Sequence, residues 1–185
     1  MKANLLTAIL PLLLLAGSSG ASSKPKTPKA PGLTYLYQLN ITGGAGVDVG
    51  VGPRGDRFVV PIASGSFLGP RLNGMYGVCT VLPFGGDWAL IDNKGVVVAD
   101  VRQTFATDDG AYIQVYETGS SQPDGTSFVR LTFETGSPKY YWLNSVVAIG
   151  ILRLVTNSSL SIDAWQVSLF RFLMPADEPG TMTPG

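Results

Sequence analysis

The sequence predicts an all-β protein, an antiparallel meander of about eight to ten strands closed into a small barrel. Short runs rich in Val, Ile, Tyr, Phe and Thr follow one another from Leu33 onward, and Gly, Pro, Asn and Asp separate them. No segment shows the periodicity of an amphipathic helix. Asp92–Gly95, Asp108–Gly110 and Asp124-Gly125 have the composition of hairpin turns in which glycine supplies the positive φ.

The chain starts with the features of a signal peptide, which we place at residues 1–22. A positive start, Met1-Lys2, precedes the apolar run Leu5–Ala16 and a stretch of small residues. The apolar run is too short to span a bilayer as a helix, which takes about 20 residues. We therefore expect cleavage, no remaining membrane anchor, and a secreted protein or one in the lumen of the secretory pathway.

A flexible linker rich in Pro and Lys is expected at residues 23–32, a single barrel domain at 33–175 and a disordered tail at 176–185. Two Asn-X-Ser/Thr sequons, at Asn40 and Asn157, would be glycosylated in the endoplasmic reticulum. The predicted strands are 34–41, 57–66, 74–82, 88–92, 96–106, 111–117, 128–134, 143–155 and 161–173.

Composition excludes several classes of function. The formal net charge is zero, but Lys2 and three linker lysines lie outside the domain, so the domain is mildly acidic and has no basic cluster for nucleic acid or anionic lipid. Cys79 is the single cysteine, which excludes an internal disulfide, and its apolar neighbours predict burial. Histidine is absent, which excludes a Ser-His-Asp triad and histidine metal sites. No cofactor and no metal are expected.

Several predicted strands alternate between a polar and an apolar side. One interpretation has the polar sides facing solvent while the apolar sides fill the core. The other has the polar sides lining a lumen, because Arg, Glu, Gln and Tyr on adjacent strands are typical of a ligand pocket. The polar sets are Asp100, Arg102 and Thr104; Tyr112, Gln114 and Tyr116; and Arg130, Thr132 and Glu134. The set opposite the first is Ala99, Val101, Gln103 and Phe105.

The available acid–base groups are Asp, Glu, Tyr and Arg. A carboxyl group desolvated in an aromatic pocket has a raised pKa, and Arg or Tyr can stabilise a developing enolate oxygen. Cyclisation or isomerisation without a cofactor is therefore chemically feasible.

Five sequence blocks, in order, resemble the domain of unknown function 3237 family over residues 33 to about 173. They are Gly65–Pro70 with Leu72–Gly74, Gly85–Trp88, Thr107–Ala111, Phe133–Gly136 and Tyr140–Asn144. The resemblance implies a closed, calycin- or lipocalin-like barrel with a central pocket. Fungal members that accompany polyketide or terpenoid pathways have been linked to cofactor-free ring closure, including oxa-Michael-type cyclisation.

The resemblance also implies where a pocket would lie. From it we predict catalytic roles for Asp87, Glu134 and Arg102, and substrate-binding roles for Arg71, Trp88, Tyr140, Trp142 and Asn144. Tyr116, on the polar side of its predicted strand, is a further catalytic candidate. Each residue has a structural alternative: the tryptophans as core, Asp87 as a turn cap, Asn144 as a backbone partner, and Glu134 as an ion-pair partner of Arg130 or Arg102.

These observations predict a cyclase that closes a ring in a hydrophobic, oxygenated intermediate by conjugate addition or (hetero-)Diels–Alder cycloaddition. Holding the reactive ends together would supply much of the rate. The alternative is a lipocalin-like carrier with the same pocket and no chemistry, and a third is a structural secreted module. An exposed apolar outer face or exposed edge strands would favour a homodimer.

Overall fold

The computed structural model describes residues 28–72 and 79–168. Within these ranges the chain forms eleven strands of one sheet, in which every pair of neighbours is antiparallel, and one short 3₁₀ helix. The strands are β1 Gly32–Gly43, β2 Val47–Gly52, β3 Gly55–Leu68, β4 Cys79–Val81, β5 Gly86–Asp87, β6 Leu90–Ile91, β7 Val97–Ala106, β8 Tyr112–Ser121, β9 Ser127–Glu134, β10 Ala148–Thr156 and β11 Ser159–Ser168. The 3₁₀ helix is Tyr141–Ser145.

The sheet closes on itself through β1. This strand pairs with β11 along one edge and with β3 along the other, so that Gln38 has both Asp163 and Leu68 as cross-strand partners. The remaining order around the ring is β11, β10, β9, β8 and β7, and then the short strands β4, β5 and β6, each of which pairs with both β7 and β3. This closure confirms the all-β, antiparallel prediction.

The predicted hairpin turns are also confirmed. Gly95, Gly110 and Gly125 have φ angles of 80°, 84° and 82°, in the left-handed region where glycine carries no steric penalty. In the first of these turns, Asp92 accepts hydrogen bonds at one carboxylate oxygen from the backbone N–H groups of Lys94 and Val96. The turn sequences therefore determine where the meander reverses.

Aromatic and branched side chains pack against one another in the interior. Tyr37 packs edge-to-face against Phe105 and Phe133, with ring centroids 5.5 and 6.2 Å apart, and Phe67 stacks on Phe105 at 4.1 Å. Cys79 is buried, as predicted, and its thiol donates to the carbonyl oxygen of Leu72 at 3.3 Å.

The alternation on β7 settles which strand faces point inward. Ala99, Val101, Gln103 and Phe105 are buried, whereas Arg102 on the opposite side is exposed. The hypothesis that the Arg102 side lines a lumen is therefore wrong. The physical reason is that β7 turns its mostly apolar side inward and its charged side outward, because burying Asp100 and Arg102 would cost far more free energy.

Three elements differ from the predictions. Strand β2 was not predicted, because its Gly-Val alternation carries exposed valines that do not pack in the core. Of the predicted strand 88–92 only Leu90–Ile91 is strand, as β6, and β5, Gly86–Asp87, precedes the predicted range. The beginning of the predicted strand 143–155 is 3₁₀ helix.

Some predictions fall outside the described residues: the signal peptide, the first half of the linker, the block residues Asn73 and Gly74, the start of the predicted strand 74–82, the end of the predicted strand 161–173, and the tail. Over the ranges that are described, no helix is long and apolar enough to cross a membrane.

Candidate functional site

Two carboxyl side chains belong to one row of the barrel interior. Val101 on β7 is the cross-strand partner of Asp87 on β5 and of Glu117 on β8. Directly opposed residues of antiparallel strands point to the same face, and Val101 is buried, so Asp87 and Glu117 both point inward. The next inward position of β7 is Gln103, whose side-chain amide donates to Oε1 of Glu117 at 2.5 Å.

Three polar atoms of this interior lack a hydrogen-bond partner among the described residues: Oε2 of Glu117, Oε1 of Gln103 and the hydroxyl of Tyr37. All three side chains have 0% of their surface exposed. An unsatisfied buried polar atom costs about 1–3 kcal/mol, so native proteins rarely retain one without a functional or solvent partner. This cluster, Tyr37, Asp87, Gln103 and Glu117, is called the interior polar cluster below.

Burial raises the pKa of Glu117 to about 8, against the opposing effect of the hydrogen bond from Gln103, and the charge of Asp87 raises it further. The side chain is therefore mostly a neutral carboxylic acid at pH 7. Since Oε1 accepts from the Gln103 amide, Oε2 is the oxygen free to carry the proton.

The two neighbouring titratable groups are shifted as well. Burial raises the pKa of Asp87, although the hydrogen bond that it accepts from the backbone N–H of Asp100 at 2.9 Å opposes this shift. Burial, and then the charge of Glu117, raise the pKa of Tyr37 well above its usual value, so the phenol stays protonated. The cluster can thus donate a proton from Glu117, donate a hydrogen bond from the Tyr37 phenol, and accept a proton at Asp87.

Three of the predicted catalytic residues, Arg102, Tyr116 and Glu134, lie together on the outer face of the sheet, apart from Asp87. Arg102 and Tyr116 are cross-strand partners, and Arg102 forms an exposed ion pair of 3.5 Å with Asp100. The hydroxyl of Tyr116 donates to Glu134 at 3.4 Å. The structural alternative proposed for Glu134, an arginine pair, is not what is observed.

Trp88 belongs to the same outer surface. The guanidinium carbon of Arg102 is 5.4 Å from the centroid of its indole ring. Gly86 is the cross-strand partner of Arg102, and a Cβ atom placed on Gly86 would come within 3.7 Å of the indole. A methyl group at this position would therefore only touch the indole at ordinary van der Waals distance.

The other predicted binding residues gather near the turn between β7 and β8. Tyr140 is buried and donates from its hydroxyl to Asp109 in that turn, at 3.2 Å from the nearer carboxylate oxygen. Lys139 also binds Asp109, which holds the pKa of this carboxyl at about 2. These contacts fasten the residues after β9 to the β7–β8 turn.

Two more of these residues make contacts within the same region. Asn144 accepts from the backbone N–H of Thr135 at 2.8 Å and donates to its carbonyl oxygen at 2.9 Å, which is the backbone-partner role given above as its alternative. The guanidinium carbon of Arg71 lies 3.7 Å from the ring centroid of Trp142.

The described residues form at least two surface clefts, and neither of these two includes a member of the interior polar cluster. One, of about 350 Å³, lies against β1, β3 and β11 and includes Asn40, Ser64 and Ser159. The other, of about 440 Å³, surrounds Asp109, Tyr112 and Ser137. Asn157, the second sequon, is exposed in the turn between β10 and β11. No group of three or more potential metal ligands occurs within the described part of the chain.

The family described as protein of unknown function (DUF3237) matches residues 31–167. The chain belongs to this family.

Solved structures agree with this assignment. A β-barrel-like protein of Acinetobacter baumannii superposes with a TM-score of 0.68 at 27% identity, covering 77% of this chain and 99% of that one. An enzyme from Penicillium herquei superposes with a TM-score of 0.63 at 26% identity, covering 77% of this chain and 98% of that one.

The name of one of the sequence relatives states an activity. A UPF0311 protein of Rhodopseudomonas palustris is 29% identical over 139 residues, covering 65% of this chain and 88% of the relative. The hydroalkoxylation enzyme PhnH of Penicillium herquei is 29% identical over 124 residues, covering 66% of this chain and 75% of the relative. This DUF3237 chain is thus similar to an enzyme as well as to proteins of unknown function.

Sequence reasoning missed three members of the interior polar cluster in this DUF3237 chain: Tyr37, Gln103 and Glu117. A signal for two of them was present. Gln103 and Glu117 are in phase with the apolar sides of β7 and β8, and a polar residue on an apolar side is the informative exception to simple burial rules. Tyr37 had no such signal, because aromatic residues are ordinary in a core.

Proposed function

We propose that this chain is a cofactor-free enzyme that closes an oxygen-containing ring by adding a hydroxyl group of its substrate across a carbon–carbon double bond of the same molecule. The observation that carries the proposal is Glu117, a completely buried carboxylic acid whose Oε2 has no partner among the described residues. Similarity to a hydroalkoxylation enzyme supports this type of reaction.

The ring closure can be written with all atoms retained. The substrate hydroxyl oxygen forms a bond to the β-carbon of an enone, the π electrons shift toward the carbonyl, and Glu117 gives its Oε2 proton to the carbonyl oxygen. The hydroxyl proton passes to Asp87. The resulting enol returns its O–H proton to Glu117, while Asp87 delivers its proton to the α-carbon, and the product is an isomer of the substrate.

Each residue of the interior polar cluster has a role in this step. The raised pKa of Asp87 makes it a stronger base than an exposed carboxylate, and the raised pKa of Glu117 keeps it protonated at neutral pH. Gln103 orients the acid through its hydrogen bond, and the Tyr37 phenol is a second donor for the oxygen that gains charge. A cycloaddition moves no proton and would have no use for two carboxyl groups, so addition is the favoured chemistry.

The proposed substrate is a hydrophobic, oxygenated intermediate of the polyketide or terpenoid type. The aromatic and branched side chains next to the cluster support this, because they offer apolar contact with few further polar groups. The chain would act in the secretory pathway or outside the cell, in line with the signal-peptide and sequon patterns.

The test uses 2′-hydroxychalcone, whose ring closure gives its isomer flavanone without any cofactor. We expect the protein to accelerate closure at pH 7 and to favour one enantiomer, measured by chiral chromatography. Heat-denatured protein corrects for the spontaneous, racemic reaction. Racemic product at the spontaneous rate would overturn the enzyme proposal. If the protein also bound the chalcone in that case, the carrier alternative would replace it.

A further inference from the structure

The interior polar cluster has a defined set of free donors and acceptors. Oε2 of neutral Glu117 is a donor, Oε1 of Gln103 is an acceptor only, and the Tyr37 hydroxyl can do both. Gln103 and Glu117 are hydrogen-bonded to each other, so the free acceptor and the free donor belong to one hydrogen-bonded pair of side chains. A ligand that satisfies them must present an acceptor and a donor next to each other.

We infer that the substrate carries, besides the hydroxyl that attacks, a second free hydroxyl flanking its carbonyl group: the carbonyl accepts from Glu117 and Tyr37, and the flanking hydroxyl donates to Gln103. This inference rests on the proposed function and names the substrate class of the same site. An aryl ketone with a hydroxyl on each carbon adjoining the acyl-bearing carbon has this arrangement.

Charge at the site restricts the class further. Within the described ranges, Glu117 is the only acidic side chain that is fully buried, and no lysine or arginine side chain is buried. A carboxylate or phosphate on the reacting part of the ligand would therefore be desolvated beside Asp87 and Glu117 with no cation to compensate it. The part of the substrate that enters the interior is neutral.

A pair of probes isolates the flanking hydroxyl. Both 2′,6′-dihydroxychalcone and 2′-hydroxy-6′-methoxychalcone retain a hydroxyl that can close the ring, but the second has its flanking oxygen capped by a methyl group. Capping leaves Oε1 of Gln103 buried against a group that cannot donate to it. A buried acceptor without a partner costs about 1–3 kcal/mol, which corresponds to a loss of affinity of about 5- to 150-fold.

Two matched variants test whether the difference in affinity between the two probes depends on Gln103. Gln103→Met removes the inward acceptor at similar side-chain volume. Gln114→Met makes the same change on β8, where Gln114 accepts a hydrogen bond from Thr104 on the partly exposed outer side. Circular dichroism verifies that both variants are folded.

The experiment measures the Kd of both probes by isothermal titration calorimetry and follows ring closure on the same samples. For the wild-type protein and for Gln114→Met, we expect the dihydroxy probe to bind at least about tenfold more tightly than the methoxy probe. For Gln103→Met, we expect the two affinities to agree within about twofold.

Failure of this inference can be told apart from failure of the proposed function. Equal wild-type affinities with enantioselective ring closure of both probes would overturn the flanking hydroxyl and leave the enzyme proposal standing. The expected affinity ratio without accelerated closure would overturn the enzyme proposal alone. A ratio that persists in Gln103→Met, or no wild-type binding of either probe, overturns the inference.

Discussion

The Gln103 side-chain amide donates a 2.5 Å hydrogen bond to Glu117 Oε1 inside the barrel, and both side chains are completely buried. Because β7 and β8 are adjacent and both residues are on their inward sides, this bond fixes the orientation of the carboxyl group. It also leaves Oε2 without a hydrogen-bond partner among the described residues. The chemistry proposed for this protein depends on that one oriented, neutral acid.

Replacement of Glu117 by Gln keeps the shape of the side chain and removes the proton. General acid catalysis contributes about 10²- to 10⁴-fold, so we expect E117Q to lower kcat for 2′-hydroxychalcone by at least about 100-fold. Steady-state kinetics measures this against E134Q, which alters the carboxylate on the outer face. The loss of kcat in E117Q should exceed the loss in E134Q by at least about tenfold. A larger loss in E134Q would indicate that the active site lies on the outer face of the sheet.

Stability should fall as the pH rises through the neutral range, because burial raises the pKa of Glu117 to about 8 in the folded protein, whereas the group has its ordinary value of 4.5 in the unfolded chain. Below the lower pKa, Glu117 is protonated in both the folded and the unfolded state, so its ionisation does not change the free energy of unfolding. Between the two values the unfolded chain releases a proton that the folded protein retains, so the free energy of unfolding decreases with pH, by up to about 5 kcal/mol in all. Above the higher value the loss is complete.

Urea denaturation at several pH values from 5 to 9 measures this effect, with E117Q as the control. Glutamine does not titrate, so the E117Q profile should be flatter than that of the wild-type protein. Asp87, whose pKa is also raised, contributes a decline of the same sign in both proteins. Parallel profiles would show that Glu117 is not a desolvated acid.

Asn144 fastens the 3₁₀ helix to the end of β9 through two hydrogen bonds with the backbone of Thr135. We expect Asn144→Ala to lower the free energy of unfolding by about 1–2 kcal/mol, since a net hydrogen bond contributes about 1 kcal/mol. Asn93→Ala, in the exposed turn between β6 and β7, should change it by less than about 0.5 kcal/mol. Equal midpoints in chemical denaturation would contradict the structural role of Asn144.

Both sequon asparagines, Asn40 and Asn157, are exposed, as a glycosylated side chain requires. The full chain secreted from a eukaryotic host should therefore lose mass when peptide-N-glycosidase removes its glycans. Asn40→Gln and Asn157→Gln should each eliminate one glycan in intact-mass spectra. An unchanged mass after enzyme treatment would argue against passage through the endoplasmic reticulum.

Local sequence signals predicted the fold well, because alternation and turn glycines depend only on near neighbours. Strands β7, β8 and β9 and the glycine turns were found in this way. The site was predicted poorly. Alternation divides a strand into two sides but does not say which side is inward, and the richer polar side, with Arg102 and Glu134, proved to be the outer one.

The location of Tyr37 depends on long-range pairing. Its strand, β1, has a register irregularity between Tyr35 and Tyr37, and the ring of Tyr37 meets Phe105 and Phe133 from β7 and β9. No local pattern in the sequence encodes that meeting. By contrast, Asp87 was a candidate from the sequence, and the structure places it in the row with Glu117.

The pairing of Gly32 with Ser168 joins the first strand to the last one. The ring of strands therefore cannot be completed until nearly the whole domain has been synthesised. Until then, the edge of β1 that pairs with β11 stays unpaired. Contacts so distant along the chain slow folding and prolong the exposure of apolar strands. Efficient production of this protein should thus depend on chaperone capacity and on the rate of translation more than on the final stability of the barrel.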